Sequence, residues 1–243
     1  MKDFLQDLVA HTHTLGFLPL IKISATDKET VIESMAEDRS VILNAKTHNP
    51  VDDLEGTFGM PNLNKLDIHL KCPEYKENAT INVVKQERDE ETFVTGLHFT
   101  NNTGDFENDY RFMSENVIND VMKTVKFKGA KWDIEFSPSI SAIQRLKFQS
   151  SAHTDEGTFK VSTDNSNLII SFGDASTHAG SFVFQSGITG KLKQTWSWPV
   201  TQVQSILNLT GDKIMRIADA GALNITVDSG IAIYDYILPA QSK

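Results

Sequence analysis

Four amphipathic stretches recur at a fixed interval in a chain otherwise patterned as short strands, and that recurrence limits the folds open to it. The first runs over 3–12, with Phe4, Leu5, Leu8 and Val9 on one face. The second runs over 61–71, where Pro61 suits a first helical turn and Leu63, Leu66 and Leu70 form a stripe. A third begins after Ser137 and Pro138 and carries Ile140, Ile143 and Leu146 at three-residue spacing. The fourth starts at Pro199, with Val200, Val203, Ile206 and Leu207 in register. Moving the first pair by about 137 positions lands on the second pair. Residue identities between the halves are poor, so what repeats is a pattern: helix, strands, helix, strands, twice over.

The intervening segments read as strands. Short or alternating apolar runs bounded by turn residues occur at 31–35, 41–44, 81–84, 93–99, 159–161, 168–172, 181–184, 214–217, 223–227 and 231–237. Connectors such as AEDRS and STDNSN favour hairpins over helical crossovers, which predicts mainly antiparallel sheet and an α+β class. The hairpin VIESMAEDRSVILNAKT has a counterpart in TFKVSTDNSNLIISFGD, at an offset about ten residues shorter than that of the helices. Between the halves, RFMSENVINDVMKTVKFKGAKW has alternating apolar residues, four lysines and no clear helix cap, and reads as a connector or edge strand. A chain of 243 residues accommodates two ordinary domains, expected here at 1–112 and 132–243 with a connector over 113–131.

Composition narrows the function. Hydrophobic residues make up 40% of the chain and charged residues 23%, the balance of a folded protein and not of a disordered one. Asp3 and Asp7 stand where a secretory leader would need a cationic start, and no window approaches the roughly 18–20 apolar residues that span a bilayer. A cytoplasmic protein without membrane insertion is expected. The sequons at Asn78, Asn101, Asn208 and Asn224 then carry no meaning, and the lone Cys72 reads as a packed thiol. A net charge of -9 argues against a surface that clings to nucleic acid by phosphate neutralisation, so any DNA role must rest on where the cations sit or on topology.

Enzymatic signatures are missing. His11 and His13 form an H-x-H pair, but no third ligand stands at a metal-site spacing, and on a helix the two would point apart. SGITGKLK has a Gly-Lys pair without the spacing that cradles phosphates. Asp52 with Asp53, and Asp89 with Glu90 and Glu91, sit in polar stretches where solvated charge is the default, and no G-x-S-x-G is present. No catalytic residue, metal or cofactor is expected.

The order and spacing of these elements resemble those of the DNA sliding clamps, polymerase processivity factors related in fold to proliferating cell nuclear antigen, and among them the T4-like bacteriophage type. NLNKLDIHLKCPEYKENATINVV resembles the second helix and following hairpin of a clamp domain. SISAIQRLKFQSSAHTDEGTFKVSTDNSNLIISFGD resembles the first helix and hairpin of the next domain, and YDYILPAQSK the last strand and start of the tail. The resemblance covers nearly the whole chain. It implies the DNA clamp fold, with two pseudo-repeated domains each carrying two helices on antiparallel sheets. It further implies a closed ring, a homotrimer whose edge strands pair between subunits and whose helices line a hole around double-stranded DNA. DNA polymerase and a clamp loader are the implied partners.

On that resemblance the DNA-facing candidates are Lys2, Lys65, Lys71, Arg145 and Lys147. Each can equally be a solvated helix face, because Asp3, Gln6 and Asp7 on the first helix and Thr201, Gln204, Ser205 and Asn208 on the fourth offer no lysine stripe. Lys123, Lys126, Lys128 and Lys131 form a denser cluster on the connector, facing solvent if the connector runs over the outside of a ring. The partner-peptide pocket that the resemblance implies falls on Val121, Val125, Tyr236, Leu238, Pro239 and Ala240; the ordinary reading of the last four is a terminal strand with a proline stop. The alternative is a non-enzymatic β-rich component of a virion, which need not place two helices per half at matching offsets.

Overall fold

In the computed structural model, which describes residues 1–88, 91–123, 127, 129–174, 176 and 178–241, helices form where the four apolar stripes lie. The chain divides into unit 1, Met1–Val125 with Ser229–Tyr234, and unit 2, Lys126–Asp228 with Asp235–Lys243. The break at 125/126 falls inside the stretch 113–131.

Unit 1 opens with α1 (Lys2–His11), which buries Phe4, Leu5, Leu8 and Val9. Four strands follow: β1 (Ile21–Ala25), β2 (Thr30–Met35), β3 (Ile42–Thr47) and β4 (Gly56–Met60). They lie in the order β4-β1-β2-β3, all antiparallel, with Ile23 opposite both Ile32 and Phe58. Alternate residues of β1 and β2 are buried, as a half-covered sheet requires. Then come α2 (Leu63–Lys71), burying Leu63, Leu66 and Leu70, and a second antiparallel set, β5 (Thr80–Arg88), β6 (Glu91–Thr100) and β7 (Glu107–Arg111), in that order. Asn62 enters α2 in the left-handed region at φ 53, a conformation asparagine tolerates better than most residues. The Tyr110 hydroxyl donates to the Pro61 carbonyl, fixing the helix entrance against β7, and burial pushes that phenol well above its ordinary range.

The stretch expected as connector or edge strand contains a further helix, α3 (Glu115–Val121). Its Ile118 is fully buried, with Met122 one turn on also buried, and these two anchors, four apart, override the alternating pattern. Met113, just before α3, exchanges two backbone hydrogen bonds with Gly59 of β4, at 3.0 and 2.8 Å.

Unit 2 contains β8 (Ile134–Phe136), α4 (Ile140–Ala152), β9 (Thr158–Asp164), β10 (Asn167–Phe172), β11 (Gly180–Ser186), β12 (Trp196–Pro199), α5 (Val200–Leu207), β13 (Asp212–Ala218) and β14 (Ala222–Asp228). The last strand, β15 (Ala232–Pro239), begins in unit 1 and ends in unit 2. Ser139 caps α4, its hydroxyl accepting from the Ala142 amide at 3.1 Å. The strands after α4 lie in the order β12-β9-β10-β11, and those after α5 in the order β13-β14-β15. The repeat is therefore topological: helix, four strands, helix, three strands occurs twice, and β12-β9-β10-β11 reproduces β4-β1-β2-β3 position for position. No helix among the described residues is long and apolar enough to cross a membrane.

Candidate functional site

In each unit the two repeated helices pack on one another, α1 on α2 and α4 on α5. In unit 2 the Gln204 side-chain amide of α5 donates to the Leu146 carbonyl of α4 at 3.3 Å and to the Ser150 hydroxyl. The charges these helices carry differ in sign from the chain as a whole. The first, α1, holds one lysine against Asp3 and Asp7; α2 holds two lysines against Asp67; α4 holds Arg145 and Lys147 and no acid; α5 holds no charge. Five cations against three carboxylates leave these helices two units positive within a chain of net charge -9.

The five cationic candidates are not equivalent. The ammonium of Lys2 donates to the carbonyls of Tyr75 and Lys76, at 2.8 and 3.1 Å, and so ties the start of α1 to the turn after α2. Its placement is that of a structural cap. Lys71 pairs with Asp67 at 2.6 Å but stays 73% exposed, so the pair is screened by water and leaves the ammonium accessible. Lys65 is exposed on the same helix. Burial and then the charge of Lys65 lower the pKa of His69, one turn away. Arg145 and Lys147 are both exposed on the acid-free α4.

Chains of known structure share this arrangement along its whole length. The PCNA of A. fulgidus, in a structure with the C-terminal region of FEN-1 bound, superposes with a TM-score of 0.70 at 11% identity, over 100% of this chain and 95% of that one. PCNA from Thermococcus kodakaraensis gives 0.67 at 12% identity, over 99% and 97%. Proliferating Cellular Nuclear Antigen from Entamoeba histolytica gives 0.67 at 10%, over 99% and 94%. The chain has the PCNA clamp fold. No protein-family model matches its sequence, and no curated protein matches it.

Within the clamp fold, the residues expected to form a partner pocket separate into exposed and buried sets. Val121 is 61% exposed on α3, beside Val117 at 45%, which sequence reasoning missed and which the i, i+4 spacing could have found. Tyr236 and Leu238 are each 0% exposed, so both side chains lie in the core of the terminal strand. The Leu238 carbonyl accepts from the Trp198 indole at 3.0 Å, further securing that strand. Pro239 is exposed, and Ala240 is half-buried with its amide bound to the Gly221 carbonyl at 2.8 Å. Val125, Lys126 and Lys128 lie outside the described residues, as do Asp89 and Glu90; Lys123 and Lys131 are exposed.

The H-x-H pair is not a paired site in the clamp fold. His11 is buried at the end of α1, its ring stacked on Tyr234 at 4.5 Å, while His13 lies in the following 3-10 turn. Among the described residues no group of three or more His, Cys, Asp or Glu is placed to hold a metal ion. A further feature missed in the sequence is apolar exposure on α4: Ile140 is 77% and Phe148 73% exposed.

Proposed function

We propose that this chain is a sliding clamp of the T4-like phage type, copies of which close into a homotrimeric ring around double-stranded DNA and hold the replicative polymerase on its template. The observation that carries this reading is the reversal of charge on the repeated helices of a clamp fold. An acidic exterior limits adsorption to DNA from outside, while Lys65, Lys147 and their neighbours give weak, sequence-independent contacts to phosphates passing through the hole. With so few cations, retention on DNA comes from linkage and not from affinity.

Strand edges support the closed ring. Within unit 1 the start of β15 follows β3 in the sheet. The topological counterpart of β3 is β11, which ends its sheet, and the counterpart of β15 is β7, which also ends its sheet. Two other sheet ends are occupied: β12 receives the Gln241 amide on the Ser197 carbonyl at 2.9 Å, and β4 receives Met113. A pairing that the chain makes once on itself is thus left open to be made again between copies, and closure removes edges that would otherwise invite aggregation. The exposed valines of α3 and the exposed Pro239 are the proposed points of polymerase and clamp-loader contact. The virion alternative is left without support, since a structural β-protein does not require one topology twice.

The deciding experiment is primer extension with the cognate polymerase and clamp loader on nicked circular DNA. Longer products, together with retention of the protein on the circle and its loss when the circle is cut, are expected. Unchanged product length, with binding indifferent to cutting, would overturn the proposal.

A further inference from the structure

The two topological repeats differ at the edge of β5. The set β5-β6-β7 corresponds to β13-β14-β15, but β13 carries one more strand on its outer side, β8, paired antiparallel with it. Strand β5 ends its sheet, with β6 its one strand partner among the described residues. The difference reaches the core. Met215 and Ile217 of β13, opposite Phe136 and Ile134 of β8, are both buried. Ile81 and Val83 of β5 stand opposite Phe99 and Leu97, and residues opposed in this way share one face of a sheet. Phe99 and Leu97 are fully buried, so Ile81 and Val83 belong to the core side, yet each is only half-buried.

A cleft of about 510 Å³ runs along this edge, and Ile81, Asn82 and Val83 all line it. Because side chains alternate across a strand, a cleft that touches three successive residues follows the backbone edge and not a single face. Its lining also includes Met1 and Phe4 at the start of α1, and Asp52 and Asp53 of the loop between β3 and β4. No lysine or arginine lines it. Lys85 reaches Asp53 at 3.4 Å, but both side chains are exposed, so the pair is screened and the cleft keeps a negative rim. An open strand edge offers N–H and C=O groups to another chain. What completes the corresponding edge in unit 2 shows what is needed: β8 is three residues long, and its first and third side chains, Ile134 and Phe136, are apolar and cover β13.

We infer that the edge of β5 is a docking site for an extended peptide of a partner protein, which joins the sheet as an antiparallel strand in the place that β8 takes beside β13. Its chemistry follows from the cleft. Apolar side chains at alternate positions lie over Ile81 and Val83, and a basic flank meets Asp52 and Asp53. Main-chain hydrogen bonds supply the affinity, while the alternation and the flank supply the specificity. The site lies within unit 1 and shares no residue with the valines and the proline proposed above for polymerase and loader contact. It does not depend on ring closure.

The test uses a fluorescein-labelled peptide, Lys-Lys-Ile-Thr-Ile-Thr-Lys-Lys, followed by anisotropy against the full chain. Saturable binding is expected, with slower hydrogen exchange of the β5 amides and no change in those of β7 or β11. Placing the two isoleucines side by side turns one of them away from the core side and should weaken binding at least about tenfold. Exchanging the lysines for glutamates should weaken it several-fold. Val83→Lys sets a cation in the apolar slot and should also weaken it at least about tenfold, with circular dichroism and thermal melting checking the fold. Should that variant misfold, a second protein decides: Ile-Glu-Phe-Ser-Pro-Ser, the sequence of 134–139, fused ahead of Met1, fills the edge in cis and should abolish binding of the probe. No binding at millimolar peptide, equal affinity for the two isoleucine orders, protection outside β5, or a fusion that binds as the parent does would each overturn the site. If the β5 amides are protected without peptide and lose that protection on dilution, a second copy of the chain covers the edge and the partner reading is overturned.

Discussion

Gly59 of β4 and Ile118 of α3 are packed so closely that a Cβ at position 59 would lie 2.7 Å from the isoleucine Cδ1 and 2.9 Å from its Cγ1. The glycine is required by this approach, which seats α3 on unit 1 and thereby turns Val117 and Val121 outward. Gly59→Ala forces either the helix or the strand to move, and overpacking of this kind costs about 1–3 kcal/mol. Ile118→Ala leaves a void at a fully buried site and costs about 2–5 kcal/mol. Urea titration of the two variants should show both losses. A Gly59→Ala protein as stable as its parent would mean that α3 is not held as described.

The lysines that the sequence offers as one class separate into two in the structure, and their variants should separate likewise. Lys2→Met removes two hydrogen bonds from an ammonium to carbonyls and should lower stability by about 1–3 kcal/mol while leaving salt-dependent DNA contact unchanged. Lys65→Ala and Lys147→Ala should leave stability nearly unaltered, since both are exposed, and each should reduce the slope of log affinity against log salt by about 1. Thermal melts set beside DNA-binding isotherms at several salt concentrations distinguish the two classes. Lys2→Met altering the salt slope would return Lys2 to the DNA face.

Much of this molecule was legible before its structure because helices announce themselves by period. The stripes of α1, α2, α4 and α5 each show three or more apolar residues at helical spacing, and their matching offsets carried the repeat. Strands β1, β4, β7, β8 and β12 escaped notice for local reasons. In β7 only Tyr110 is buried, and in β4 Gly56 and Gly59 break the apolar run. The site was less legible than the fold. Exposure is a tertiary property: Lys2 and Lys65 look alike in the sequence, and nothing local distinguishes a lysine whose ammonium binds two carbonyls from one in water. Phe148 was hidden for the converse reason, as an aromatic residue near a helical stripe reads as core until its face is known. Tyr236 and Leu238 are buried because a terminal strand with bulky apolar side chains is more readily closed into a core than left open.

Asp7 joins α1 to the chain segment before and within β15 through two partners, and a third, His11, lies on α1 itself. Its carboxylate accepts from the Tyr234 hydroxyl at 2.7 Å and the Ser229 hydroxyl at 3.0 Å, and lies 3.2 Å from the His11 ring nitrogen, with its side chain only 10% exposed. Burial alone would raise its pKa, but the bonds from His11, Tyr234 and Ser229 outweigh it and lower the group from its ordinary 3.8. A depressed carboxyl contributes stability that is present above its unfolded value and is lost as pH falls through the folded one. The stability difference between the parent and Asp7→Asn should therefore be constant above about pH 5, shrink below the ordinary 3.8, and vanish once the carboxyl is protonated in both states. Denaturant titrations across that range give the measurement; a difference that grows toward low pH would have the wrong sign for this linkage.

Exposed and buried apolar residues near the proposed partner surface should fail in different ways. Val121→Glu changes a side chain that is 61% exposed, on a helix whose anchor Ile118 is untouched, so folding and mass in solution should be preserved. If polymerase or loader docks there, the extension product should shorten several-fold, and Val117→Glu, one turn away on the same face, should act in the same direction. Leu238→Ala truncates a side chain with no exposure and should cost about 2–5 kcal/mol of stability. Whatever activity that variant loses should track its unfolded fraction and return on cooling or with added osmolyte, because its side chain offers a partner nothing to touch. Primer extension read beside thermal melts tells the outcomes apart. If Val121→Glu and Val117→Glu both support full-length synthesis, α3 is a packing element and the proposed polymerase contact does not lie on it.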